Sequence, residues 1–335
     1  MTAPSIAAYA LDALGPANIA TNLEATKAGW TTILLGLFHI GYPPGDPPNY
    51  QTEAEIFFNS TSIIKGGKEA GTFSAGFDPA WPQMIAALKE NSPITRIHAS
   101  FGGGSPVVDF TTIKTIFEAN NNSFKGTALE TNMRLISDTF KEIDGIKPID
   151  GIDMDCEDVY DPASFVAFCE MAIGMGFNLS FCPYKCKDFW TGALATLEKS
   201  HPGRVTFWNL QCYAGGAGNV PQSWADAIKH TLPDFDTDGY ILAGDWCRQL
   251  AQPDANPKDW YWVGDCPPAM EQMFAAFRAP PDAPKGQRPI GGGFVWTLDN
   301  IIGYAASQKQ KPDPDPCSNF GVNDYLAAIK AGVGN

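Results

Sequence analysis

Short apolar runs recur along the chain and alternate with segments whose apolar positions have helical spacing. The run at 31–38 is rich in Ile and Leu, which is typical of a parallel strand covered on both faces. Strands are predicted at 5–9, 31–38, 94–100, 150–157, 177–183, 205–213, 239–246 and 290–296. Helices are predicted at 17–28, 80–91, 127–143, 161–174, 188–199, 221–231, 267–278 and 321–332. Eight strands that alternate with helices predict an α/β fold, a single (β/α)₈ TIM barrel.

The pattern contains no linker, internal repeat or low-complexity stretch that would divide the chain. A long connection at 39–78 contains residues 55–59, which we expect to form one arm of a hairpin. A barrel of this kind commonly reaches this length as one domain. We therefore expect residues 1–335 to form one catalytic domain with no separate binding module.

The stretch 150–157 differs from an ordinary strand because three acids follow one another at alternate positions. Side chains alternate between the two faces of a strand, so Asp153, Asp155 and Glu157 are predicted to share one face. Met154 and Cys156 would then point to the helix layer. Crowded carboxyls repel one another, which raises at least one pKa and can keep a carboxyl protonated near neutral pH. The pattern is typical of a catalytic strand.

Two other interpretations of the acids are open. A calcium-binding loop also has acids at alternate positions, but it requires glycine at the sixth position, where this chain has Asp158. A solvated acidic turn is the second alternative, and the apolar lead-in at Ile149 and Ile152 argues against it.

Other polar and aromatic residues fall where an active site of this fold is expected. Active sites of TIM barrels lie at the carboxyl ends of the strands. The residues at or just past such ends are Glu157, Tyr213, Asp245, Trp246 and Trp296. By alternation, Trp208 faces the opposite way from Tyr213 and is predicted to be core. His98 is predicted to be a hydrogen-bonded histidine of the barrel interior.

Four motifs in the right order resemble glycoside hydrolase family 18, the chitinase family. The acid strand is similar to the family's Asp-x-x-Asp-x-Asp-x-Glu signature, and residues 100–103 are similar to its Ser-x-Gly-Gly motif. Residues 211–213 resemble the Gln-x-Tyr of the hevamine-like branch, and Trp296 matches the tryptophan of the last strand. Three positions depart from common family patterns: Cys156, Asp158 and Ala214. These departures concern the subsites and leave the acids in place.

The resemblance implies roles for individual residues. Glu157 would protonate the glycosidic oxygen, and Asp155 would orient the 2-acetamido group of the sugar. Asp153 would share a proton with Asp155, and Tyr213 would donate a hydrogen bond to the acetamido carbonyl. Substrate-binding residues are expected to be Gln211, Trp296, Tyr9, Asp245, Trp246 and Tyr184. Supporting residues around the acids are expected to be Asp150, Ser100, Gly102 and Gly103.

The function that the resemblance implies is that of a retaining, endo-acting chitinase which hydrolyses β-1,4-linked N-acetylglucosamine. An endo-β-N-acetylglucosaminidase acting on N-glycans and a non-catalytic chitin-binding lectin are the alternatives. Residues 247–289 leave no room for the additional α+β domain of processive chitinases, which favours an open cleft and internal cleavage. In this span, Trp260 or Trp262 would stack on sugars or anchor the loop.

Charge and composition restrict the partners. The formal net charge is −14, which disfavours nucleic acid and anionic membranes. We expect a chitin-like oligosaccharide as the partner, a monomeric protein, and no cofactor or metal. The N-terminus has no signal peptide features, so we expect either an extracellular protein whose leader is absent here or a cytoplasmic one.

The eight cysteines all follow residue 155, and none has the spacing of zinc ligands. Cys156 and Cys212 have outward parity and are predicted to be free thiols packed under helices. Cys247 and Cys266 flank a loop, and we consider a bridge between them.

Overall fold

A computed structural model describes residues 3–41, 53–104, 107–249, 264–280, 287–308 and 316–334. Eight parallel strands form the centre of the molecule. They are β1 (Ser5–Ala10), β2 (Thr32–Ile40), β5 (Arg96–Gly102), β6 (Gly151–Asp155), β7 (Asn178–Phe181), β8 (Val205–Gln211), β9 (Ile241–Trp246) and β10 (Gly292–Trp296). Each corresponds to one of the eight predicted strands, with bounds that differ by a few residues.

The strands close into a barrel because β1 pairs with both its neighbours. Ser5 is in register with Gly292 of β10, and Ala7 is in register with Thr32 of β2. The remaining strands follow one another around the barrel in chain order. The (β/α)₈ fold predicted from the sequence is therefore confirmed.

A hairpin extends the sheet beside β2. Strands β3 (Ile56–Phe58) and β4 (Thr61–Ile64) are antiparallel, and β3 pairs with the end of β2. The ring of Phe58 packs against Trp81, with ring centroids 4.7 Å apart. The predicted hairpin arm at 55–59 is confirmed.

Helices surround the barrel. The described helices are α1 (Leu23–Lys27), α2 (Trp81–Ala87), α3 (Asp109–Ala119), α4 (Ala128–Thr139), α5 (Pro162–Gly174), α6 (Lys187–Ser200), α7 (Pro221–Thr231), α8 (Pro267–Arg278), α9 (Leu298–Gln308) and α10 (Val322–Val333). The sequence did not predict α3 or α9, and α1 is shorter than predicted. Thr and Ile are frequent in α3 and have weak helix propensity, which obscured its apolar face. No helix in the described ranges is long and apolar enough to span a bilayer.

Side chains of alternating parity divide the apolar core into two layers. The outer layer, between strands and helices, contains Met154, Cys156 and Trp208. The inner layer fills the barrel and contains Tyr9, Tyr213 and other residues. The predicted outward orientation of Met154, Cys156 and Trp208 is confirmed. Cys156 and Cys212 are buried free thiols, as expected.

Asp150 lies at the end of the barrel opposite to Glu157, just before β6 begins. Its Oδ2 accepts hydrogen bonds from Lys89 Nζ (2.6 Å) and from the Ile97 backbone N–H (2.7 Å). The expectation that it supports the catalytic acids is wrong. Asp150 instead fixes the start of β6 against β5 at the amino end of the strands.

The disulfide differs from the one considered above. Cys266 is bonded to Cys317, with Cα atoms 5.4 Å apart, and Cys247 is a buried free thiol. Cys266 directly precedes α8, and Cys317 lies in a short turn between α9 and α10, so the bond ties two distant parts of the chain together. A bridge between Cys247 and Cys266 is therefore excluded.

Candidate active site

Asp153 lies at the centre of the barrel and is fully enclosed by protein. Its two oxygens accept four hydrogen bonds, from Tyr9 Oη (2.7 Å), Ser100 Oγ (2.9 Å), Ser180 Oγ (2.6 Å) and Asn209 Nδ2 (2.9 Å). Burial raises its pKa, and these four hydrogen bonds oppose the rise. A carboxylate offers about four lone-pair positions, so donors of the protein fill all of them. Asp153 is therefore held in one position below the other two acids.

His98 contacts Asp153 indirectly, through Ser180. Its Nδ1 lies 3.0 Å from Ser180 Oγ, and Ser180 in turn donates to Asp153. Burial, followed by the positive charge of Arg96, lowers the pKa of His98 to about 3, so the imidazole is neutral at neutral pH. The predicted role as a hydrogen-bonded core histidine is confirmed.

Asp155 and Glu157 are bound by the same side-chain amide, that of Gln211. Gln211 Nε2 donates to Asp155 Oδ1 (3.2 Å) and to Glu157 Oε1 (2.9 Å). The pKa of Asp155 is raised well above its ordinary value by burial, then by the charges of Glu157 and Asp153. Burial also raises the pKa of Glu157. Both pKa values are raised, which favours retention of a proton on this pair at a pH where isolated carboxyls are ionised.

The sharing of a proton between Asp153 and Asp155, which the resemblance implies, remains a prediction. The four hydrogen bonds that Asp153 accepts already occupy its lone pairs.

A cleft of about 190 Å³ opens beside the acid pair at the carboxyl ends of the strands. It is lined by Gly104, Asp155, Glu157, Gln211, Tyr213, Ala214, Trp246 and Trp296. Tyr213 and Trp246 meet edge to face, with ring centroids 5.8 Å apart. The structure thus brings together in the cleft two of the three predicted acids (Asp155 and Glu157), Gln211 and three predicted aromatic residues. The volume is below the roughly 300–1,000 Å³ of drug-sized pockets, which suits a group the size of one sugar ring.

Two glycines let β5 approach the acid strand closely. Gly103 N–H donates to the Asp155 backbone oxygen (2.9 Å). Gly102 has φ +111°, and a Cβ there would lie 2.1 Å from the same oxygen. A side chain at Gly102 would force the two strands apart and displace Asp155. Gly102 and Gly103 therefore lie directly against the backbone of Asp155.

Tyr9 and Asp245 do not contact the cleft, so their prediction as substrate-binding residues is wrong. Tyr9 is 0% exposed, because it lies under the cleft where its hydroxyl holds Asp153. Asp245 is also 0% exposed. Trp246 belongs to the inner layer, and Ala243 and Cys247 belong to the outer layer. The alternation along β9 therefore turns Asp245 away from the cleft and towards the helices.

Tyr184 is not among the residues that line the cleft. It is partly buried beside Gly215, and Lys185 Nζ lies 4.9 Å from the centre of its ring. A role in substrate binding remains a prediction for Tyr184. Trp260 and Trp262, which were considered for sugar stacking, lie outside the described residues.

Three residues of the site were not singled out from the sequence: Ser180, Cys182 and Asn209. Ser180 and Cys182 have the same parity at the end of β7, and Asn209 has the same parity as Gln211 in β8. The two-residue alternation that located the acids would have identified them as inward-facing polar positions.

Comparison with known proteins gives a likeness in fold. No protein-family model matches the sequence, and no curated protein matches it. Among solved structures, the chain resembles chitinase ChiA74 from Bacillus thuringiensis, with a TM-score of 0.57, 11% identity, and coverage of 99% of this chain and 70% of that one. It also resembles active domain 2 of a thermostable chitinase from Pyrococcus furiosus, with a TM-score of 0.54, 12% identity, and coverage of 99% and 96%. At these identities the likeness establishes that the chain shares their barrel fold.

Proposed function

We propose that this protein is a retaining, endo-acting chitinase that hydrolyses β-1,4-linked N-acetylglucosamine with the help of the substrate's own acetamido group. The observation that supports this most strongly is that Asp155 and Glu157, both bound by Gln211 Nε2, line a cleft between aromatic walls. A carboxyl whose pKa is raised retains the proton that the leaving oxygen needs.

The first step uses the proton of Glu157. As Glu157 gives this proton to the glycosidic oxygen, the carbonyl oxygen of the acetamido group attacks the anomeric carbon and the glycosidic bond breaks. Asp155, left as a carboxylate, accepts the acetamido N–H and stabilises the positive charge of the cyclic intermediate. Tyr213 lines the same cleft, where its hydroxyl would donate to the acetamido oxygen.

In the second step, the Glu157 carboxylate takes a proton from a water molecule. The water oxygen attacks the anomeric carbon from the face that the leaving group vacated, and the acetamido group is released. Two inversions at the same carbon give a product with retained β configuration. Trp246 and Trp296 form apolar walls of the cleft, against which the sugar ring would stack.

Asp153 is not a candidate for the nucleophile, because it is 0% exposed and does not reach a substrate carbon. Asp155 and Glu157 both accept hydrogen bonds from Gln211 Nε2. We assign the nucleophile to the acetamido group of the substrate, as the family resemblance implies.

The fold is consistent with this proposal, because the two structures compared above are of chitinases, one of them complexed with chito-oligosaccharides. Product analysis on chito-oligosaccharides and on a high-mannose glycopeptide, run side by side, tests it. We expect shorter chito-oligosaccharides from the first substrate and an intact glycopeptide from the second. Cleavage within the glycan core alone would assign the protein as an endo-β-N-acetylglucosaminidase. Binding of chito-oligosaccharides without any cleavage would assign it as a lectin.

A further inference from the structure

Glu157 lies beyond the end of the strand that carries the other two acids. β6 ends at Asp155, and α5 begins only at Pro162. Within the described residues, no backbone–backbone hydrogen bond involves residues 156–160, which we call the Glu157 segment. The hydrogen bonds of the barrel sheet therefore position Asp153 and Asp155 but do not extend to Glu157, whose backbone must be held in another way.

Among the described residues, two hydrogen bonds connect the Glu157 segment to other parts of the protein. Gln211 Nε2 donates to Glu157 Oε1 (2.9 Å), and the Thr111 backbone N–H donates to Asp158 Oδ2 (2.8 Å). A third hydrogen bond lies within the segment itself. The bond to Asp158 is thus the one that fixes the segment without using the carboxyl group of Glu157.

The element that Asp158 binds is itself attached to the barrel. Thr111 lies in the first turn of α3, where backbone N–H groups have no partner within the helix. Asp109, at the start of this helix, is 2% exposed. Its Oδ1 accepts the Ile40 backbone N–H (2.6 Å), and its Oδ2 lies 2.9 Å from His39 Nδ1. The amino end of α3 is therefore fixed to the end of β2, and Asp158 connects the Glu157 segment to it.

The charge of Asp158 suits this position. The amino end of a helix carries a partial positive charge, which favours a carboxylate. Burial raises the pKa of Asp158, the hydrogen bond from Thr111 opposes the rise, and the charge of Asp109 adds to it. An amide in place of the carboxyl group would keep an acceptor for the Thr111 N–H, whereas a methyl group would remove it.

We propose that Asp158 is a positioning residue, which accepts the Thr111 N–H and thereby holds the backbone of Glu157 where the Glu157 carboxyl reaches both Gln211 and the cleft. The inference rests on the proposed function, in which Glu157 is the general acid. Asp158 is not among the residues that line the cleft, so it acts through its neighbour in the chain. It is also one of the three departures from the family pattern, and this role accounts for an aspartate at that position.

The hydrogen bond can be removed from either side. Asp158→Ala removes the acceptor, and Asp158→Asn keeps one. Thr111→Pro removes the donor and leaves Asp158 unchanged, since proline is tolerated in the first turn of a helix. Asp161→Ala is the matched control, because Asp161 is another aspartate of the same connection, and its Oδ2 accepts the Ser164 backbone N–H (2.9 Å) of its own helix, α5.

The first readout is steady-state kinetics on a chito-oligosaccharide. Burial is the main cause of the raised pKa of Glu157, and the charge of Asp158 adds to it, so each variant is measured at its own optimum pH. We expect kcat to fall about 10- to 100-fold in Asp158→Ala and in Thr111→Pro, with KM within about twofold of the parent, as for a misplaced catalytic group. Asp158→Asn and Asp161→Ala should keep kcat within about threefold of the parent.

The double variant Asp158→Ala/Thr111→Pro tests whether the two residues act through the same bond. If they do, the double variant loses no more kcat than the more impaired single variant, because the bond can be lost only once. Losses that multiply would show two independent effects and overturn the inference. A parent-like kcat in Asp158→Ala would overturn it as well, and so would a kcat in Asp158→Asn as low as that in Asp158→Ala.

A second readout does not need activity. Crystal structures of the parent, Asp158→Ala and Asp158→Asn give the position of the Glu157 carboxyl directly, and Thr111→Pro replaces Asp158→Ala if that variant fails to fold. We expect Glu157 Oε1 to lie beyond about 3.5 Å from Gln211 Nε2 in Asp158→Ala and to stay within hydrogen-bond distance in Asp158→Asn. If the parent cleaves no acetamido sugar, the proposed function fails while this comparison still tests the role of Asp158. An unmoved Glu157 carboxyl in Asp158→Ala would overturn the inference, whatever the activity.

Discussion

Asp245 allows a quantitative prediction for stability, because its carboxyl group is buried and accepts few hydrogen bonds. Its Oδ1 accepts a hydrogen bond from the Trp246 backbone N–H (2.8 Å), and its Oδ2 is buried with no hydrogen-bond partner among the described residues. Burial, followed by the charge of Asp265, raises the pKa of Asp245 from 3.8 to about 7. The folded protein therefore holds Asp245 in its neutral form at a pH where the unfolded chain is ionised.

The sign of the pH dependence follows from this difference. Between about pH 4 and pH 7 the unfolded state loses the proton while the folded state retains it, so the free energy of unfolding falls as the pH rises through this window. Each pKa unit corresponds to about 1.4 kcal/mol, so the full difference is on the order of 4 kcal/mol. Asp245→Asn replaces the carboxyl with a neutral group of the same shape, which removes this loss. The free energy of unfolding of the variant, relative to that of the parent, should therefore increase by a few kcal/mol as the pH rises from about 4 to about 8.

The assay is denaturant unfolding of the parent and of Asp245→Asn in parallel, at several pH values across this window, with the disulfide intact. The difference between the two free energies of unfolding cancels the titration of all other groups. Asp238→Asn is a control for which the free energy of unfolding should change with pH in the opposite direction. Hydrogen bonds from Arg288 lower the pKa of Asp238, so the Asp238 carboxylate stabilises the folded protein at neutral pH, and this contribution is lost in acid. A difference between Asp245→Asn and the parent that is constant from pH 4 to pH 8 would refute the reasoning.

Two further predictions concern the proposed chemistry. Glu157→Gln should lower kcat by about 10²–10⁴-fold or more, since the amide has no acidic proton, and should leave sugar binding nearly intact. Steady-state kinetics and calorimetric binding measure the two effects. Activity within about tenfold of the parent would show that Glu157 is not the general acid. Trp296→Ala should raise KM by removing a wall of the cleft, whereas an unchanged KM and kcat would show that Trp296 only fills the core.

The sequence was most informative about the barrel and the acid strand. Apolar runs bounded by turns predicted all eight barrel strands, because strands of a parallel sheet are buried on both faces. The two-residue alternation placed Met154 and Cys156 in the outer layer and Asp153 in the interior. These results depend only on local periodicity, which the chain retains in the folded protein.

The errors concern properties that a local pattern does not determine. Asp245 lies at a strand end, as expected of a site residue, but parity turns it to the helices. Asp150 precedes its strand and so lies at the opposite end of the barrel from the site. Tyr9 has the correct parity, but it is too deep to be reached from the cleft. The partner of Cys266 is distant in the sequence, at Cys317, and only tertiary structure brings the two together.

The surroundings of Asp153 were also beyond the sequence. Its four hydrogen-bond donors come from four different strands of the barrel. The residue types are visible in the sequence, but only the closed barrel brings all four donors to one carboxylate.

The anomeric configuration of the first product, followed by proton NMR during hydrolysis of a chito-oligosaccharide, tests the proposed mechanism most directly. Attack by the acetamido oxygen predicts that the β-anomer forms first and mutarotates afterwards, and that a fully deacetylated oligosaccharide is not cleaved. Initial release of the α-anomer, or rapid cleavage of deacetylated chitosan or cellulose, would contradict the proposal that the substrate supplies the nucleophile.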